Sequence, residues 1–77
     1  MSMYYFHIKD GETLLDDIGS EHSSLVNVQK EALKACREMV TGSPKFWQGQ
    51  PWELWVTDKP NGQGTTILTL GISGEMA

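Results

Sequence analysis

Apolar and polar positions alternate in three stretches of this chain and recur at helical spacing in a fourth. Residues 3–9 (MYYFHIK) are rich in aromatic and β-branched side chains, as a strand favours. Asp10-Gly11 follows, a dipeptide suited to a type I′ turn because both central positions need positive φ. With those two residues as the whole loop, Lys9 pairs with Glu12, Ile8 with Thr13, His7 with Leu14, Phe6 with Leu15 and Tyr5 with Asp16. Tyr4, Phe6, Ile8, Thr13 and Leu15 then share the more apolar face, which is assigned to the core. Tyr5, His7, Leu14 and Asp16 share the other. A bulged loop would slip the register by one residue and exchange the faces of the second strand.

Residues 18–22 read as a connection, with Ser23 or Ser24 as the N-cap of a helix. Leu25, Val28, Ala32, Cys36 and Met39 recur at spacings of three and four, and Val26, Leu33, Ala35 and Val40 widen the stripe. Asn27, Lys30, Glu31, Lys34, Arg37 and Glu38 fall opposite. An arc this broad suits a helix lying on a sheet. Thr41-Gly42-Ser43-Pro44 ends it, with Gly42 free to take a left-handed cap.

Residues 45–51 form a loop holding Phe46 and Trp47, which either folds back over the helix end or contributes to a binding site. Residues 52–57 (WELWVT) alternate, with Trp52, Leu54 and Val56 inward and Glu53, Trp55 and Thr57 outward. A hairpin loop carrying Pro60 and Asn61-Gly62 leads to a last strand over 65–72, with Leu68, Leu70 and Ile72 on one face and Ile67 and Thr69 on the other. The expected fold is α+β in the order β-β-α-β-β, an antiparallel four-stranded sheet with one helix packed on one face. All 77 residues make one domain, ordered over about 3–73.

One helix covers only one face of such a sheet. The uncovered face would show Tyr5, His7, Leu14, Trp55, Thr57, Ile67 and Thr69, an apolar surface large enough to seek a partner. Trp55 is the favoured anchor, with Tyr5 and Trp47 beside it, because Trp and Tyr dominate binding hot spots. So short a chain is near the limit for supporting its own core, and one cysteine cannot form an internal disulfide. Homodimerisation through the outer face or a sheet edge is the expected support.

Charge and motifs narrow the function by exclusion. Ten acidic against six basic residues give a formal charge of −4, and the basic residues form no stripe for phosphate binding, so nucleic acid is not the expected partner. The charge does not disfavour a basic protein surface, and an acidic inhibitor or adaptor of bacterial or phage type is the alternative reading. No apolar run reaches membrane-spanning length, and the start has no basic segment leading into an apolar one. The chain is read as cytoplasmic, which suits a lone buried cysteine.

No constellation carries catalysis, and no cofactor or metal is expected. His7 and His22 lack the spacing and cysteine partners of a zinc motif. Asp16 and Asp17 are adjacent, so on a strand they point to opposite faces and are read as solvated turn carboxylates. Cys36 sits within the apolar stripe and is read as inert. Gly62-Gln63-Gly64 lies between strands, away from any helix N-terminus that would hold phosphate. The protein is therefore read as non-enzymatic.

Tyr4-Tyr5-Phe6-His7-Ile8, Asp10-Gly11, Gly19-Ser20-Glu21, Glu31-Ala32-Leu33 with Arg37-Glu38, and Thr57-Asp58 followed by Gly62 together resemble a family of short bacterial proteins of unknown function. Its members open with a Tyr-Phe-Phe-His-type strand and an Asp-Gly turn, and their helix reads like Glu-Ala-Leu-x-Ala-Ala-Arg-Glu. The resemblance spans about residues 3–73 and implies a compact α+β domain without supplying a catalytic residue. The Phe46-Trp47 loop and the longer turn over 60–64 depart from the family's pattern.

Overall fold

A computed structural model describes residues 2–77. The chain order is β1 (Ser2–Lys9), β2 (Thr13–Leu14), β3 (Ser20–His22), α1 (Leu25–Thr41), a 3-10 turn at Pro44–Trp47, β4 (Trp52–Thr57), a tight turn at Pro60–Gly62, and β5 (Thr66–Ile72). The strands form one antiparallel sheet ordered β2-β1-β4-β5, with β3 added on β1. The α+β class and the single covering helix hold. The fifth strand comes from the segment expected to be a simple connection. β1 is eight residues long, and β4 pairs with it only from Tyr5 onward; β3 gives Ser2, Met3 and Tyr4 a main-chain partner.

The first hairpin corrects the expected register. Lys9 pairs with Thr13 and Ile8 with Leu14, so the loop holds three residues, Asp10, Gly11 and Glu12. Asp10 N–H donates to the Glu12 carbonyl at 3.0 Å, and the Asp10 carboxylate accepts Glu12 N–H at 3.4 Å. Gly11 alone supplies positive φ (105°), so the two-residue I′ geometry does not form. The one-residue slip moves Leu14 to the helix side of the sheet and releases Leu15 from it.

Ser24 caps α1 through its hydroxyl, which accepts Asn27 N–H at 3.2 Å. Such a cap is worth about 1 kcal/mol. Gly42 ends the helix at φ −90°, so the expected left-handed cap is absent, and Pro44 opens the following 3-10 turn. Val28, Ala32 and Cys36 are the buried residues of α1. They pack with Leu54 and Val56 of β4, flanked by Phe6, Ile8, Leu68, Leu70 and Ile72. Fully buried side chains such as Leu54, Val56 and Val28 contribute about 1.5–3 kcal/mol each. The apolar stripe is narrower than its sequence pattern, because Leu25, Val26 and Leu33 remain exposed. Of the two alternatives for the loop, Phe46 takes the first: it folds back, edge-on to Trp52 with ring centroids 5.7 Å apart.

Candidate interaction surface

On the side of the sheet away from α1, β1 and β4 set His7 opposite Trp55 and Tyr5 opposite Thr57. His7 and Thr57 are both 0 % exposed there. Their cover comes from the chain itself. After β2, residues 15–19 cross this face, and the turn at Pro60–Gly62 meets them, with Asn61 N–H donating to the Asp16 carbonyl at 3.0 Å. Asn61 reaches this geometry at φ 61°, a conformation that Asn tolerates better than most residues.

Hydrogen-bond direction fixes the chemistry of this cluster. Asp16 N–H donates to His7 Nδ1 at 3.0 Å, so Nδ1 carries no proton. The Thr57 hydroxyl donates its only proton to the Lys59 carbonyl at 2.7 Å. Thr57 Oγ1 therefore accepts from His7 Nε2, 2.8 Å away, and the imidazole is the neutral Nε2–H tautomer. Burial holds His7 below its ordinary pKa, against the opposing pull of the Asp16 carboxylate.

Asp16 serves as a structural hub, which corrects its reading as a solvated turn residue. Its Oδ1 accepts N–H bonds from Ile18 (3.0 Å) and Gly19 (3.1 Å), and its Oδ2 accepts Phe6 N–H at 3.1 Å. Burial alone would raise its pKa, but the bonds from Gly19, Ile18 and Phe6 outweigh it and hold the carboxyl below the usual range. Gly19 is required at the close of this segment. It has φ 74°, and a Cβ there would meet the Tyr5 ring at 2.6 Å and the Tyr4 carbonyl oxygen at 3.0 Å.

The eight residues expected to form a binding face are therefore dispersed. His7 and Thr57 are buried in the polar cluster. Leu14 pairs with Ile8 on the helix side, beside Ala35 and Met39. Ile67 falls at the register shift between β4 and β5, where Val56 pairs with Leu68 and Thr57 with Thr66, and it packs against the core. That bulge turns Ile67 away from its alternating position. Tyr5 and Trp55 are half-buried, and Thr69 is exposed. Trp47 is 51 % exposed but stacks edge-on to Phe46 beyond the helix end, not on the outer face. A contiguous, open aromatic face does not exist.

What does stay open is the β5 edge. β5 is the terminal strand of the sheet, and among the described residues only β4 pairs with it. Every second residue of an edge strand turns its N–H and C=O outward. Beside β5, a shallow groove is lined by Gln29, Ala32, Leu33, Leu68, Thr69 and Leu70. Leu33 forms its apolar wall and is 61 % exposed. The sequence signal for this site is the uncharged, proline-free run TILTLGI, coupled to a helical leucine that the core does not absorb.

Residues 3–72 match the model of a family described as Domain of unknown function (DUF6894). The chain belongs to this family. No curated protein and no solved structure matches it. Family membership agrees with the resemblance carried by the first strand, the Asp-Gly turn and the helix. Two parts of that signature now have physical roles in this family member: His7 and Gly19 both close residues 15–19 onto the sheet. No helix of the described residues is long and apolar enough to cross a membrane.

Proposed function

We propose that this protein is a non-enzymatic, cytoplasmic interaction module that pairs with a second copy of itself along β5. The observation carrying this reading is the open edge Thr66–Ile72, seven residues with neither charge nor proline. Natural sheets protect such edges with lysine, proline, bulges or covering segments. The bulge near Thr57 twists only the start of this strand. A second β5, antiparallel to the first, would satisfy the outward main-chain groups of both strands through a two-fold, self-complementary contact. The groove walled by Leu33 adds apolar area beside the paired strands, which a strand contact alone lacks for a stable dimer.

The available side chains support a non-enzymatic reading. His7 has both ring nitrogens occupied, and Cys36 is buried, which pushes its thiol pKa up and away from reactivity. Ser20 Oγ and His22 Nε2 are 2.9 Å apart at the surface, but His22 packs edgewise on Phe6 and lacks an orienting carboxylate bond. Among the described residues, no group of three or more His, Cys, Asp or Glu is placed to hold a metal.

Light scattering at micromolar concentration tests the pairing. Wild type is expected as a dimer, and Thr69→Lys and Leu33→Glu each as a folded monomer. Trp55→Ala is expected to leave the dimer intact. A wild type that stays monomeric throughout the concentration series rules the reading out. The formal charge of −4 favours a second reading, an acidic adaptor docked on a basic protein surface. Its mark would be a partner captured from lysate and lost steeply with salt.

A further inference from the structure

The polar cluster on the outer face has a consequence that is independent of the β5 edge. We propose that His7 is the catch of an acid-released flap: protonating its ring lifts residues 15–19 and the Pro60–Gly62 turn from the sheet and uncovers Tyr5, Trp55 and Thr57. The geometry supplies the mechanism. A main-chain N–H can only donate, so the Asp16 bond to Nδ1 exists only while Nδ1 is bare. An imidazolium places N–H against N–H at that point, with the ring wholly out of water and the amide part-buried, and a buried polar group without a partner is costly.

Thr57 offers no alternative acceptance route, since its proton is committed to the Lys59 carbonyl and its oxygen already receives Nε2–H. Asp16 must turn its amide away. Asp16 is also the point at which the two covering segments are joined. Its carboxylate holds the amides of Phe6, Ile18 and Gly19, and its carbonyl holds Asn61 N–H. One proton at His7 thus acts on every bond that closes the flap.

The charged groups around the ring leave that outcome to a contest that can be named. From residues 15–19, the Asp16 carboxylate faces His7 and favours its charged form. From β4, the ring meets Trp55, with centroids 5.2 Å apart, and the uncharged Thr57. Lys9 and Glu53 form the next cross-strand pair along the same face, with opposite charges. From the second hairpin come the Lys59 carbonyl, through Thr57, and Asn61, through Asp16, neither of them charged. Asp16 is the one neighbour able to keep the flap shut, by swinging its carboxylate onto the imidazolium. That swing would itself release Phe6, Ile18 and Gly19.

The test follows the ring and the flap together in the intact wild-type chain. NMR of the imidazole nitrogens reports tautomer and protonation, and amide hydrogen exchange reports the flap. At neutral pH the ring is expected as the Nε2–H tautomer. Between about pH 6.5 and the lowered folded pKa of the ring, protection of the Asn61, Asp16 and Gly19 amides is expected to fall by about tenfold per pH unit, the slope of one linked proton. Leu54 and Val56 amides are expected to stay protected over the same range. His7→Gln, which can donate and accept but does not titrate, is expected to lose this slope. The proposal is overturned if the ring protonates while Asn61 stays protected, or if protection is lost only with global unfolding. Should His7→Gln fail to fold, the wild-type comparison of ring and amides decides by itself.

Discussion

Leu54 and His7 lie on neighbouring strands and are equally inaccessible to water, yet they are buried by different means. Leu54 sits under α1 among Val28, Ala32, Cys36 and Val56, where contact is non-directional and any well-shaped apolar neighbour serves. His7 sits under residues 15–19, where Asp16, Thr57, the Lys59 carbonyl and Asn61 form a chain in which every proton has one place to go. The matching is close on the polar side. Among the described residues, the one buried side-chain polar atom without a partner is Trp52 Nε1, on the apolar face. One side of the sheet is thus closed by area, and the other by hydrogen-bond direction. The first tolerates a change of proton count and the second does not.

Leu54→Ala should give the largest effect, a loss of about 2–5 kcal/mol in urea denaturation. It should leave the pH dependence of stability unchanged in shape. Asp16→Ala comes next, at about 1–3 kcal/mol, because it strands the part-buried main-chain donors of Phe6 and Gly19. Its exchange signature should be confined to Phe6, Ile18, Gly19 and Asn61, and a uniform loss across α1 would dissolve the distinction between the two faces.

Acid should separate the faces without mutation. The folded pKa of His7 is lowered, so its contribution is complete above its unfolded value near 6.5 and declines as pH falls below that. The folded pKa of Asp16 is lowered too, so its contribution is present above an unfolded value near 3.9 and is lost as pH falls through the folded one. Denaturation midpoints should therefore drop in two stages, and His7→Gln should abolish the earlier stage only. The smallest effect is expected from Ser24→Ala, about 1 kcal/mol from the lost cap, with no change in either stage.

Much of the apolar side was legible in the chain. Phe6, Ile8, Trp52, Leu54, Val56, Leu68, Leu70 and Ile72 keep the faces that their alternation assigns, and the buried residues of α1 follow its three-and-four spacing. Leu14, Leu15 and Ile67 do not. Their faces turn on a single residue, the third member of the first hairpin loop in one case and the β5 bulge in the other. The outer face was misread for a related reason. Residues 15–19 look like a polar connection in isolation, and nothing in Leu15-Asp16-Asp17-Ile18-Gly19 announces that Asp16 will accept three amides.

By itself the sequence determined the helix and its start at a serine, the inward residues of β4, and the family, because periodicity and N-capping act between residues close in the chain. Tertiary structure alone decided that His7 and Thr57, fifty residues apart, would share a hydrogen bond, and that residues 15–19 would close the second face. It also decided that β5 would end the sheet. Strand order and donor-to-acceptor matching depend on which distant segments meet. Local pattern does not encode that, because one residue of register is enough to send a side chain to the opposite side.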